Sequence, residues 1–210
     1  MTKKAIILIL AAAAVALMVQ PGPWIRGAVL QHFGNPAYEG VWILIPHLLL
    51  YSTLSAVFSA AAWFALARAG WIAPAQFGIS RAVLVWGAAG ALICAAMTIA
   101  YFFATGMDAA LHSPRINPWI MGANLFSNFY EELVFRGFVL CALTAVFGFW
   151  PAAALSSLAF GFVHTQYPLT LQLLVAVSGF VWCWIARRTG SLLTPWIAHM
   201  GLDWIIDPIA

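Results

Sequence analysis

The chain has 210 residues, of which 64% are hydrophobic and only 7% charged. A soluble domain carries about 25% charged residues, so this composition, with a mean hydropathy of +0.96, excludes a soluble globular protein and fits a polytopic membrane protein with roughly six to eight spans. The net charge of +3 is dispersed over loop positions, which implies membrane orientation rather than nucleic-acid binding.

Met1–Lys4 is a short basic start before the apolar run Ala5–Val19. That run is short for a span and resembles the core of a signal peptide, with a small-x-small site at Ala14-Val15-Ala16. The favoured reading is an uncleaved first helix ending before Pro21-Gly22-Pro23; removal of residues 1–16 is the alternative. Gln20–Gly40 reads as a loop holding Arg26, His32 and Glu39, and Val41–Ala67 as a long second span with Pro46 near its start. Arg68–Arg81 is a basic connector, with a turn expected around Gly78. Ala82–Ala104 is a third span, and Thr105–Pro118 is the most polar loop, with Asp108, His112, Arg115 and Asn117. Trp119–Val146 is the fourth span. Trp150–His164 is a short fifth, rich in the Ala and Ser that let membrane helices approach closely. After a turn at Thr165–Pro168, Leu169–Ala186 forms the sixth span and Ser191–Ile206 the seventh.

The expected fold is therefore an all-α bundle of about seven spans with a polar intramembrane cavity. It divides into N-terminal helices over residues 1–116 and a core over residues 117–207. A cytoplasmic N-terminus puts Lys3, Lys4, Arg68, Arg81, Arg187 and Arg188 inside. Only Arg26 and Arg115, with Glu39, Asp108 and Asp207, fall outside, in agreement with the positive-inside rule. Trp42, Trp71, Trp119, Trp150 and Trp196 sit near span ends, as interfacial anchors do. Cys94, Cys141 and Cys183 all fall in apolar runs without CxxC spacing, so they read as small buried hydrophobes.

The informative stretch is Phe129-Tyr130-Glu131-Glu132-Leu133-Val134-Phe135-Arg136-Gly137. It places three full charges in mid-span, where each costs roughly 2.5–3.5 kcal/mol if it faces lipid. They must face a protein interior or a wet cavity. Glu132 and Arg136 are four apart, so they share a helix face and can pair. Glu131 points about 100° away from Glu132 and stays free for chemistry. A purely structural salt bridge would leave Glu131 unexplained. Downstream, His164 ends the fifth span, while His199 and Asp203 project from one face of the seventh, about 40° apart. Two imidazoles and a free carboxylate can activate water. The carboxylate takes the proton directly, or a bound metal lowers the water pKa.

These three motifs, Glu131-Glu132-x-x-x-Arg136, Phe160-x-x-x-His164 and His199-x-x-x-Asp203, resemble the signature of the CPBP family. Its members are the CAAX-type and bacteriocin-processing intramembrane endopeptidases, also called the Abi family. The resemblance covers about Trp119 to Asp207 and implies hydrolysis of a peptide bond near the membrane. It implies Glu131 as the base that activates water and His164 as a holder of that water. His199 and Asp203 complete the site as ligands or oxyanion stabilisers, and Glu132 and Arg136 set the helix arrangement. Either zinc on Glu131, His164, His199 and Asp203 or a metal-free glutamate mechanism is implied. The third motif often ends in Asn, and Asp203 suits a cation better. The substrate implied is a membrane-anchored peptide or protein within membrane lipid: a lipidated tail, a leader or a C-terminal sorting segment. The alternatives are a non-proteolytic binding or immunity protein using the same cavity, and an ion-coupled transporter. The latter lacks support from any internal repeat.

Overall fold

The computed structural model of the chain describes residues 1–19, 53–73, 76–107, 111 and 116–209. The described residues are helical, with no strand beyond an isolated parallel bridge between Gln76 and Ser191. The expected loop with Arg26, His32 and Glu39, the first part of the second span with Pro46, and Asp108, His112 and Arg115 lie outside the described residues.

Helix α1 (Lys3–Val19) buries Ile7, Ala11 and Ala14 along one stripe. It packs against α2 (Thr53–Arg68), where the Ser55 hydroxyl donates to the Ala14 carbonyl at 2.6 Å. Helix α3 (Arg81–Thr105) starts at Ser80, whose hydroxyl accepts from the Val83 amide. It stops at Gly106, which takes the left-handed φ of 71°. At 25 residues, α3 is about 37 Å long.

A continuous rod follows in three parts: α4 (Pro118–Glu132), a π-helical segment (Leu133–Val139) and α5 (Leu140–Phe147). Asn117 caps it by accepting from the Trp119 and Ile120 amides, with Pro118 in the first turn where no amide is needed. The helix expected over Trp119–Val146 thus exists nearly to the residue, but it is not uniform. The Leu140 amide reaches back to the Phe135 carbonyl, five residues earlier. Gly148, at φ 79°, breaks the rod and reverses it into α6 (Phe149–Val163). Pro168 opens α7 (Leu169–Thr189), Gly190 closes it, and α8 (Leu193–Ile206) ends the bundle. The last helix starts two residues later than its pattern suggested. Ser191 is held instead by the bridge to Gln76 and by donating its hydroxyl to the Gly78 carbonyl at 2.8 Å.

Close packing of α3 on α8 depends on glycines. A Cβ at Gly87 would lie 2.7 Å from Ile197 Cγ2, and one at Gly201 would lie 2.8 Å from Ala91 Cβ. The outer face of α3 presents Leu84, Val85, Leu92, Ile93 and Phe103, all exposed. Such an apolar exterior suits lipid contact. By length and composition, α3 and α7 are each able to cross a membrane, and α2 and α6 are shorter apolar helices. Cys94 and Cys183 are buried, Cys141 is half-buried, and all three are free thiols.

Candidate active site

Glu131 and Glu132 end α4, immediately before the π segment. Local π geometry of this kind is frequent at functional sites. Arg136 lies within it and donates from Nη1 to Glu132 Oε1 at 2.9 Å, with both side chains fully buried. The guanidinium lies 4.2 Å from the Phe160 ring centre and 5.1 Å from that of Trp182. Gly179 leaves it room, because a Cβ there would lie 2.7 Å from Arg136 Nη2. Burying a charge is tolerable only with a partner, and Glu132 with two aromatic faces provides it.

Glu132 Oε1 has a second neighbour. His199 Nδ1 lies 3.0 Å away and donates to it. The His199 ring stacks on Trp182 at 4.3 Å and meets the Phe160 edge. With Nδ1 occupied, Nε2 faces the site, 3.9 Å from Glu131 Oε2 and 3.9 Å from Asp203 Oδ2.

His164 is held in the same way. It caps the C-terminus of α6, and its Nδ1 donates to the Phe160 carbonyl at 2.7 Å. A carbonyl only accepts, so the proton is on Nδ1. Nε2 is turned to Glu131 Oε2 at 4.0 Å. Tyr167 stacks almost parallel on the imidazole. All six residues singled out in the sequence, Glu131, Glu132, Arg136, His164, His199 and Asp203, therefore meet at one place.

The structure adds residues that sequence reasoning passed over. Asn128 Nδ2 donates to Asp203 Oδ2 at 2.8 Å, and Asn124 Nδ2 donates to Asp207 Oδ2 at 2.6 Å. With Glu132 against His199, these make three rungs between antiparallel α4 and α8. The signal was present as two series spaced by four: Asn124, Asn128, Glu132, Arg136 and His199, Asp203, Asp207. Trp182 lies in an apolar run where nothing in the sequence marks it, yet its ring supports both His199 and Arg136.

The donor types suit zinc, but their placement does not. Two ligands on one tetrahedral zinc, each at about 2.1 Å, lie about 3.4 Å apart. The gaps around Glu131 are 3.9 and 4.0 Å. Among the described residues no group of three or more His, Cys, Asp or Glu side chains is set to hold a metal ion. Gaps of this size instead suit a bridging water, which sits about 2.8 Å from each partner. A cavity of about 610 Å³ lies on the other side of Arg136, lined by Trp71, Gln76, Arg136, Leu140, Thr144 and Leu192. None of Glu131, His164, His199 and Asp203 lines it, so the polar cavity expected around the motifs is not this one.

Comparison with known proteins bears on the same segment. No curated protein and no solved structure matches the chain. Residues 113–205 match the family model described as Type II CAAX prenyl endopeptidase Rce1-like. The matched segment contains all three motifs, and over residues 113–205, a little under half of the chain, the match is consistent with a CPBP-family, CAAX-type protease domain.

Proposed function

We propose that the chain is a multi-pass intramembrane endopeptidase that hydrolyses a peptide bond in a membrane-anchored protein or peptide. The observation that carries this reading is the setting of Glu131. Its Oε2 faces Nε2 of both His164 and His199 at about one water's reach, and each ring is oriented through its other nitrogen.

A water lodged among these three groups donates one proton toward Glu131 and the other toward an imidazole Nε2. Its oxygen lone pair is then directed at the scissile carbonyl. Glu131 removes the proton as the carbon–oxygen bond forms, and returns it to the departing amine nitrogen as the carbon–nitrogen bond breaks. His199 and Asp203 occupy the remaining side, near the developing oxyanion. An ionised Asp203 would repel that charge. Asn128, bonded to Asp203 through one amide hydrogen, carries a second on the same nitrogen and supplies a neutral donor there. Glu132 and Arg136 hold His199 and the helix pair in place. No step runs through a metal.

The test is Glu131→Gln, which keeps size and removes the base. Cleavage of membrane-anchored peptides should fall by about 10²–10⁴-fold with the thermal midpoint nearly unchanged. Comparative peptidomics of membranes holding either protein would find the substrate. A Glu131→Gln protein cutting at the original rate refutes the role.

A further inference from the structure

The described cations sort to one end of the bundle. Lys3 and Lys4 open α1, Arg68 closes α2, Arg81 opens α3, and Arg187 and Arg188 close α7. Contacts bring these helix ends together. Lys3 Nζ lies 5.5 Å from the Trp71 ring centre, and the Arg188 guanidinium lies 5.7 Å from that of Trp86 in the first turns of α3. The Leu192 amide donates to the Gln76 carbonyl at 2.8 Å. The remaining described cation, Arg136, is the buried partner of Glu132. At the opposite end Tyr101 meets Thr170, Trp204 donates to the Met121 carbonyl, and Asn124 donates to Asp207. No Lys or Arg among the described residues lies there.

The Glu131 cluster opens toward this second end. Helix α6 rises from the basic end but has only 15 residues, about 22 Å. That is short of the roughly 30 Å apolar core of a bilayer. His164 therefore comes level with Glu131 in mid-bundle, under the exposed residues Thr165 to Pro168. Side-chain exposure rises in the same direction, from 0% at Glu132 and Arg136, through 13% at Glu131 and 16% at His164, to 26% at Asp203. Asn128–Asp203 and Asn124–Asp207 continue as a polar stripe from the cluster to that end. Toward the basic end a separate cavity reaches Arg136, and the buried Glu132–Arg136 pair stands between it and Glu131.

A face rich in Lys and Arg lies in the cytoplasm. We propose that the Glu131 cluster opens to the non-cytoplasmic side of the membrane and takes a membrane-anchored peptide whose cleavable segment lies on that side. The orientation stands on geometry and charge; the substrate class rests on the peptidase reading above. A tail displayed only in the cytoplasm would meet the basic end, on the far side of Arg136 from Glu131.

The experiment uses the full chain with Cys94, Cys141 and Cys183 replaced by Ala. Gln166→Cys and, independently, Leu169→Cys report on the open end, and Ile79→Cys on the basic end. Right-side-out membrane vesicles are treated with a membrane-impermeant maleimide. The expected result is labelling at residues 166 and 169 in sealed vesicles, and at residue 79 only after permeabilisation. The reverse pattern overturns the inference whatever the enzymatic activity. Single-span anchors carrying a randomised juxtamembrane segment on one side or the other then test the substrate. Glu131-dependent cleavage of the outward-displayed set supports the proposal, and cleavage of the inward-displayed set alone overturns it. Outward labelling with neither set cut removes the peptidase reading and its substrate while leaving the orientation standing.

Discussion

Replacing Glu132 by Ala removes one oxygen on which two buried donors depend. Glu132 Oε1 accepts from Arg136 Nη1 at 2.9 Å and from His199 Nδ1 at 3.0 Å. The Arg136 side chain is fully buried, so the variant leaves a guanidinium with no anion. Breaking a buried pair in this way costs about 3–5 kcal/mol. The stacking of Arg136 on Phe160 and Trp182 is present before and after, so it does not offset the loss. The stranded His199 donor adds to it, but both losses pass through one oxygen and do not simply sum. A net loss of about 4–6 kcal/mol is expected. At roughly 2–4 °C per kcal/mol for a chain of this length, Tm should fall by about 8–24 °C. Thermal unfolding in detergent, followed by tryptophan fluorescence, reads this directly. The double variant Glu132→Leu with Arg136→Met removes both charges together, and such replacements are often neutral or stabilising. It should recover most of the lost Tm without recovering cleavage, because His199 Nδ1 still lacks its acceptor. A Glu132→Ala protein melting within about 2 °C of the parent, against the shift expected from the buried pair, would refute the reasoning. So would a double variant as unstable as the single.

Three further outcomes are expected. Gly179→Ala puts a Cβ 2.7 Å from Arg136 Nη2 and should cost about 1–3 kcal/mol; an unchanged Tm would mean that the guanidinium has room the geometry does not show. Asn128→Leu strips Asp203 of its amide donor and should depress kcat more than Tm, while Asn128→Asp combined with Asp203→Asn restores the hydrogen bond in reverse and should recover activity. Failure of that exchange to rescue would remove Asn128 from the site. Chelator treatment of purified protein should leave cleavage intact, since the side-chain gaps exceed those of shared zinc ligands; activity lost to chelation and restored by zinc would overturn that placement.

The helices were legible because hydropathy runs and their breakers act locally. Ser80 and Gly106 bound α3, Asn117 and Pro118 start the rod, and Gly148 ends it, each through its own backbone or capping chemistry. The separation of Glu131 from Glu132 was legible too, since the 100° step per residue sends neighbours to different faces. What periodicity does not contain is which faces meet. That Glu132 serves Arg136 and His199 through one oxygen, that each imidazole spends Nδ1 elsewhere and turns Nε2 to Glu131, and that Asn124 and Asn128 answer Asp207 and Asp203 all depend on how α4, α6 and α8 approach. Those approaches sit in a frame of close contacts, such as Gly87 on Ile197 and Gly201 on Ala91 between α3 and α8, and Gly179 on Phe160 between α7 and α6. They are steric agreements between residues distant along the chain, and a linear reading of local preferences holds no term for them.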